Sequence, residues 1–248
     1  MMLALEGVSR SFGGLLAVAE VGFTLAQGSI TALVGPNGAG KTTLFNLITG
    51  FLVPDGGRIL FEGRDITGMP PERIAALGLV RTFQIVQPFA RLSVRENIAV
   101  GAHLRLASRR AALAFAAEIA ERVGIAHQLD QPAGTLTVAA RKRLELARAL
   151  ATGPRLLLLD EVMAGLNPRE LDEIAAVIRG IRAGGVTLLL IEHVMRAVMS
   201  LSERVLVLND GALIAEGPPA EIAADPRVIT AYLGAGAAER MLKERARA

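Results

Sequence analysis

The sequence predicts an α/β fold with a mainly parallel sheet, an antiparallel β layer beside it and a block of helices inserted between two halves of the sheet. Three observations predict it. Short buried-type strand runs alternate with helical patterns in the last third of the chain, at residues 155–160, 187–192 and 204–208. A glycine-rich turn at residues 35–42 joins a strand-like run to a helix opening. The stretch 94–150 changes character and becomes rich in Ala, Leu, Arg and Glu at helical spacing.

Taken in order, residues 3–25 read as short strands broken by turns at Gly13-Gly14 and Gly28, the start of the antiparallel layer. Residues 31–34, Thr-Ala-Leu-Val, suit a buried strand, and residues 43–48 open a helix. Residues 58–62, followed by Gly63-Arg64-Asp65, look like a hairpin region, and residues 79–83 form a further strand. Inside the helical block the clearest runs are 111–123 and 142–150. Helical patterns at 169–181 and 195–201 separate the returning strands, as a parallel α/β sheet requires. Pro218-Pro219 then marks a turn, with helical patterns at 220–224 and 226–233. The final residues, 239–248, alternate charges and read as a solvated helix or frayed tail.

Composition narrows the class. The 248 residues are 52% hydrophobic and 21% charged, which suits a large core and excludes wholesale disorder. Apolar runs end early in Asp160-Glu161 and Glu192-His193, so no membrane-spanning helix fits. The first residues lack a basic region followed by an apolar secretory core, and there is no cysteine; both point to the cytoplasm. A net charge of +3, one Tyr and no Trp give no footprint for nucleic acid.

The turn itself carries chemistry. Gly35-Pro36-Asn37-Gly38-Ala39-Gly40-Lys41-Thr42-Thr43 follows the pattern G-x-x-x-x-G-K-[ST], a phosphate cradle. Gly35, Gly38 and Gly40 allow the backbone to approach phosphate oxygens, and the helix start aims N–H groups and a positive dipole end at the same point. Lys41 would reach the β- and γ-phosphates of a nucleotide, and the Thr42 hydroxyl would ligate Mg²⁺. An ordinary strand-to-helix turn with an exposed lysine would not need this spacing together with these flanking elements.

A second pair sits at the end of the run 155–160, where Asp160-Glu161 closes four leucines. Strand ends of that kind carry the chemistry of open α/β sheets. Asp160 can hold the hydration shell of Mg²⁺, and Glu161 can polarise an attacking water. Alone, the pair would be a common helix-cap or surface arrangement; beside the Lys41 loop it reads as part of a site.

With these two motifs the chain resembles the ATP-binding-cassette ATPases, the nucleotide-binding subunits of membrane transporters, over nearly its whole length. The resemblance implies a RecA-like P-loop NTPase core with an antiparallel β subdomain and an inserted helical subdomain. It also implies ATP and Mg²⁺ as cofactors. Phe12 occupies the place of the aromatic that stacks on adenine; without the match it would read as core. Gln84 matches the glutamine that contacts Mg²⁺ and water and senses the membrane subunit. His193 matches the histidine that contacts the γ-phosphate, so Glu161 and His193 form the implied catalytic pair. Glu192 is given no catalytic role, because neighbouring strand residues face opposite sides.

The family's signature Leu-Ser-Gly-Gly-Gln reaches across a head-to-tail dimer to the other subunit's nucleotide. Here the aligned residues are Leu136-Thr137-Val138-Ala139-Ala140, which keep a hydroxyl and lose both glycines and the glutamine. Two readings stand: a variant signature that works with another loop shape, or a weak signature in a heterodimer whose opposite site turns over slowly. The basic run Arg141-Lys142-Arg143 reads as a solvated helix face. Ala164-Gly-Leu-Asn167-Pro168, Ile191-Glu-His193-Val-Met and Pro226-Arg-Val-Ile-Thr-Ala-Tyr-Leu-Gly234 look like the subunits serving branched-chain amino acid importers. The segment between Ala102 and Glu118 is shorter than in the commonest members.

The implied organisation is one cassette, residues 1–234. Its nucleotide-binding core is 1–86 and 152–216, its helical subdomain 87–151 and its C-terminal extension 217–234, followed by a polar tail at 235–248. The implied function is ATP hydrolysis that energises amino-acid uptake from the cytoplasmic face of the cell membrane. The implied partners are separate permease subunits, a second cassette in a homo- or heterodimer and, indirectly, an extracytoplasmic solute-binding protein. A lipid or lipopolysaccharide exporter subunit and a soluble non-transport cassette protein are the rival readings.

Overall fold

The structure, a computed structural model, describes residues 1–84 and 87–233, so the tail expected at 235–248 lies outside the described residues. In chain order the elements are β1 (Leu3–Phe12), β2 (Leu15–Leu25), β3 (Ile30–Val34), α1 (Lys41–Ile48), β4 (Gly56–Phe61), β5 (Arg64–Asp65), α2 (Pro71–Ala76) and β6 (Leu79–Arg81). Next come α3 (Val94–Ala102), α4 (Arg109–Val123), α5 (Val138–Ala151), β7 (Leu156–Asp160), α6 (Pro168–Ala183) and β8 (Thr187–Ile191). The chain continues through α7 (Met195–Leu201), β9 (Arg204–Asn209), β10 (Ala212–Gly217), α8 (Pro219–Ile222) and α9 (Pro226–Leu233). It divides into two units, Met1–Met69 with everything from Leu190 onward, and Pro70–Leu189. The boundary falls inside β8.

The first unit contains an antiparallel sheet in the order β2-β1-β4-β5, with Leu3 opposite both Leu25 and Phe61. Leu3, Leu5 and Val8 of β1 are buried, and the register shifts after Leu5, where Gly7 takes a positive φ of 61°. The same unit pairs β3 parallel with β9, Thr31 opposite Arg204 and Val34 opposite Val207, and β9 antiparallel with β10. Every residue of β3 is buried, as its continuous apolar run requires of a strand covered on both faces. The β9–β10 turn reaches back to the other strands: Ala19 donates its N–H to Gly211 O at 2.9 Å, and Gly211 donates to Ala39 O at 3.1 Å.

In the second unit β6 runs parallel to β7, Leu79 opposite Leu156. The four leucines of β7 are fully buried, and each contributes about 1.5–3 kcal/mol through burial. The helices announce their starts in sequence. Ser93 with Glu96 forms a capping box on α3, and Asn167 with Glu170 does the same on α6, where Pro168 takes the first helical position. α4 stops at Gly124, whose φ of 71° suits a left-handed cap.

Several boundaries differ from the expectation, each for a local reason. β6 ends at Arg81, two residues short, because Phe83 turns its N–H to the Glu145 carboxylate at 3.3 Å. α5 starts at Val138, four residues before the expected run, because the Thr137 hydroxyl accepts the Ala140 N–H at 3.3 Å and caps it. The strand β10 and the short helix α2 carry no expectation at all.

Candidate functional site

In the first unit the glycine-rich loop runs from the end of β3 into α1. Gly35 has a φ of 155°, and a Cβ there would lie 2.1 Å from the Leu208 carbonyl oxygen. The loop therefore passes too close to β9 for any side chain. Gly38 also takes a positive φ, 82°, but faces open space, so only its backbone conformation demands glycine. Lys41 folds over the loop, its ammonium donating to the Gly35 carbonyl at 2.7 Å and the Pro36 carbonyl at 2.8 Å. Ala39 is buried and donates to Pro36 O at 3.2 Å, whereas Asn37 and Thr42 are exposed and Thr43 is half-buried. Gly40 caps α1 without a side-chain oxygen, which leaves the first-turn N–H groups directed outward with the positive helix end.

Two further residues of this unit bear on the expected site. Phe12 is 43% exposed, which removes the core reading. Its ring lies 5.0 Å beneath the Arg10 guanidinium, and Arg10 is tied to Asp55 at 2.7 Å. Asp55 also accepts the Ser11 N–H at 2.7 Å and the Ser11 hydroxyl at 2.9 Å, and the Ser11 backbone bond is the largest cause holding its carboxyl below the ordinary value. His193 is exposed just beyond β8, while Glu192 beside it is 2% exposed, in keeping with opposite facing along the chain.

Tyr232, on α9, carries no local signal that would place it here. Burial pushes its phenol upward, and a hydrogen bond from the Gly35 backbone opposes that shift. The contact joins two segments nearly 200 positions apart in the chain, a distance no local pattern can signal.

The second unit holds the carboxylates. Asp160 closes β7 at 4% exposure, and its side chain meets Arg81 at 2.7 Å in a pair whose side chains are 5% and 6% exposed. Burial pushes the Asp160 carboxyl upward and Arg81 opposes it. Thr82, fully buried, accepts the Asp160 N–H at 3.1 Å and locks the strand end. Glu161 stands one residue further with a φ of 49°, a left-handed conformation that costs a non-glycine residue about 1–3 kcal/mol. Its carboxylate accepts the Gln84 amide at 2.7 Å, and its backbone carbonyl accepts the Lys142 ammonium at 3.0 Å. Gln84 and Glu161 are thus brought together beyond the end of β7.

Sequence reasoning missed two participants. Arg81 carries no local signal, because its partner lies 79 residues away. Lys142 corrects the reading of the basic run as solvated: it is 8% exposed, and Arg143 beside it bonds Val123 O at 2.8 Å and Glu173 at 2.6 Å. Thr137 proves to be a helix cap, with Val138 at the first helical position and 59% exposed.

The donors fit the expected groups. Among the described residues no cluster of three or more His, Cys, Asp or Glu side chains could hold a metal ion. Thr42 in the first unit, and Gln84 and Asp160 in the second, each carry a hard oxygen donor of the kind that Mg²⁺ takes. The loop at Gly35, whose backbone no Cβ could cover, and the uncapped start of α1 suit phosphate.

Comparison with known proteins agrees with this geometry. The sequence profile described as "ABC transporter" matches residues 18–164, and that described as "Branched-chain amino acid ATP-binding cassette transporter" matches residues 212–238. The chain is 43% identical to the high-affinity branched-chain amino acid transport ATP-binding protein BraF of Pseudomonas aeruginosa, over 94% of this chain and 98% of that protein. It is 45% identical to the corresponding protein LivG of Salmonella typhimurium, with the same coverage. Among solved structures, a nucleotide-free ATP-binding cassette from an ABC transporter superposes with a TM-score of 0.85 at 33% identity, covering 94% of this chain and 99% of the other. The ADP conformation of the cassette MJ1267 superposes equally well at 34% identity, with the same coverage.

Proposed function

Because this chain belongs to the ATP-binding-cassette transporter family, we propose that it energises the uptake of branched-chain or related amino acids through separate permease subunits. It is an ATPase with a P-loop NTPase fold. The observation that carries the hydrolytic reading is Glu161, held in a left-handed conformation with its carboxylate on Gln84 at 2.7 Å. Support for the substrate class comes from relatives at 43% and 45% identity and from the match at residues 212–238.

In this reading the Lys41 ammonium leaves its carbonyl partners for the β- and γ-phosphates. The backbone of residues 35–43 and the α1 N-terminus surround the same charge. Phe12, already exposed, stacks on adenine. Glu161 polarises the attacking water and accepts its proton, with Gln84 fixing the carboxylate's direction, and His193 stabilises charge developing on the γ-phosphate. Thr42, Gln84 and Asp160 are the residues that would hold Mg²⁺, which would supply neutralisation of phosphate charge. Positioning and electrostatics account for most of the acceleration.

Thr137, Val138 and Ala139, at the head of α5, serve the nucleotide of a second cassette. The lost glycines are partly offset, because the first N–H groups of α5 still point from its exposed end. Residues 87–151 form the helical subdomain that meets the permease; exposed Phe89, Val100 and Leu104 supply apolar surface for that contact. The core is 1–86 with 152–216, and 217–234 is the extension. No helix among the described residues is long and apolar enough to cross a membrane, which suits a peripheral subunit at the cytoplasmic face. The test is purification of the chain from its native membrane followed by reconstitution. Recovery of amino-acid permease subunits and ATP-dependent leucine uptake are expected; recovery of exporter-type subunits without uptake would sink the importer reading.

A further inference from the structure

Helix α5 bonds Glu161 of the Gln84–Glu161 pair directly and, on the other side, the residue that precedes Gln84. Lys142 and Glu145 lie three residues apart on one face of the helix, and each is 8% exposed. The Lys142 ammonium donates to the Glu161 carbonyl at 3.0 Å, while the Glu145 carboxylate accepts the N–H of Phe83, the residue before Gln84, at 3.3 Å. One turn further, Arg148 donates to Gln87 O at 3.1 Å, so the helix grips the chain on both sides of Gln84. The Gln84–Glu161 hydrogen bond at 2.7 Å closes a ring that starts and ends on α5.

Burying a lysine and a glutamate is costly unless their partners matter. The partner of Lys142 is a main-chain carbonyl at the one strained residue of the β7 end, rather than a carboxylate on the surface. A hydrogen bond to that carbonyl fixes the peptide plane after Glu161 and helps hold its φ of 49°. A side chain departing from a strained backbone is displaced when the backbone relaxes, and a displacement of about 1 Å at a reacting group can cost on the order of a hundredfold in rate.

We infer that Lys142 is a positioning residue for Glu161. This rests on the reading of Glu161 as the group that acts on water. Lys142 stands five residues from Thr137, about 7.5 Å along the axis, so whatever docks on the exposed head of the helix bears on this chain's own carboxylate.

The test uses the full chain with its co-purified subunits and compares Lys142→Met, Lys142→Arg and Glu161→Gln. For Lys142→Met the expected result is a kcat for ATP hydrolysis lowered about tenfold to a hundredfold, with KM and the equilibrium Kd for ATP within about threefold of wild type. Lys142→Arg, which can donate to the same carbonyl, is expected to recover most of the rate. Should Lys142→Met fail to fold, Lys142→Leu removes both the charge and the donor, with the same expected split. A kcat per folded molecule equal to wild type in the charge-free variant would overturn the inference, even if the melting temperature falls, provided Glu161→Gln abolishes turnover. Turnover that survives Glu161→Gln overturns the assignment of Glu161 and this inference with it.

Discussion

Replacing Gly35 by Ala isolates the steric demand of the phosphate loop. The added Cβ would meet the Leu208 carbonyl oxygen at 2.1 Å and the Ala39 Cβ at 3.2 Å, and the φ of 155° is one that side-chain-bearing residues rarely adopt. The conformational part costs about 1–3 kcal/mol. Overpacking against a backbone that is itself paired in β9 adds about 1–3 kcal/mol. For a chain of this size each kcal/mol moves the melting temperature by about 2–4 °C, so the variant should melt about 4–24 °C lower. Gly38→Ala is the internal control, because its Cβ meets nothing within 4 Å and only the left-handed cost of about 1–2 kcal/mol applies. Thermal unfolding followed by circular dichroism reads both. Equal losses for the two variants, or a smaller loss at Gly35, would refute the close approach of the loop to β9.

Arg81→Met should destabilise the chain by about 3–5 kcal/mol, because it leaves the buried Asp160 carboxyl without its ion-pair partner; a melting shift below about 2 °C would contradict the pairing seen at 2.7 Å. Phe12→Ala should weaken ATP binding by about 1–3 kcal/mol, roughly fivefold to 150-fold, measured by equilibrium titration, with unchanged affinity rejecting the stacking role. Asp55 has a native carboxyl held below its ordinary value of 3.8, chiefly by the Ser11 N–H. Its contribution is therefore fully present above 3.8 and lost as pH falls through the lowered native value. Melting curves of Asp55→Asn against pH should show a shallower acid limb in that window, and an acid limb identical to wild type would exclude the Ser11–Asp55 clamp.

The parts legible in sequence are those set by neighbouring residues. β3 and β7 stand out because short runs, Ala32-Leu33-Val34 closed by Gly35 and the four leucines closed by Asp160-Glu161, fit buried strands in an alternating pattern. α7 coincides with its expected span of 195–201, and α6 is bracketed by Asn167-Pro168 and Gly184, strong local stop and start signals. The phosphate loop was legible because its chemistry is spelled in nine consecutive residues. What escaped is non-local. β10 is strand because β9 offers it an edge, with Leu213 opposite Leu208, and Ala-Leu-Ile-Ala-Glu alone does not say so. Arg81 finds Asp160 and Lys142 finds Glu161 only after the chain has folded back through β7. A run of three basic residues on a helix reads as solvent-facing unless the orientation of α5 is known, and that orientation turns the middle one inward.

Comparison of Glu161→Gln with wild type, in the complex reconstituted into vesicles, bears most directly on the claim that this chain hydrolyses ATP at Glu161 to drive amino-acid uptake. Substitution removes the base and leaves the loop around Lys41 intact. The account predicts an ATP Kd within about threefold of wild type, hydrolysis lowered by about 10²–10⁴-fold and loss of leucine accumulation. Leucine accumulation at the wild-type rate, with hydrolysis undiminished, would contradict it.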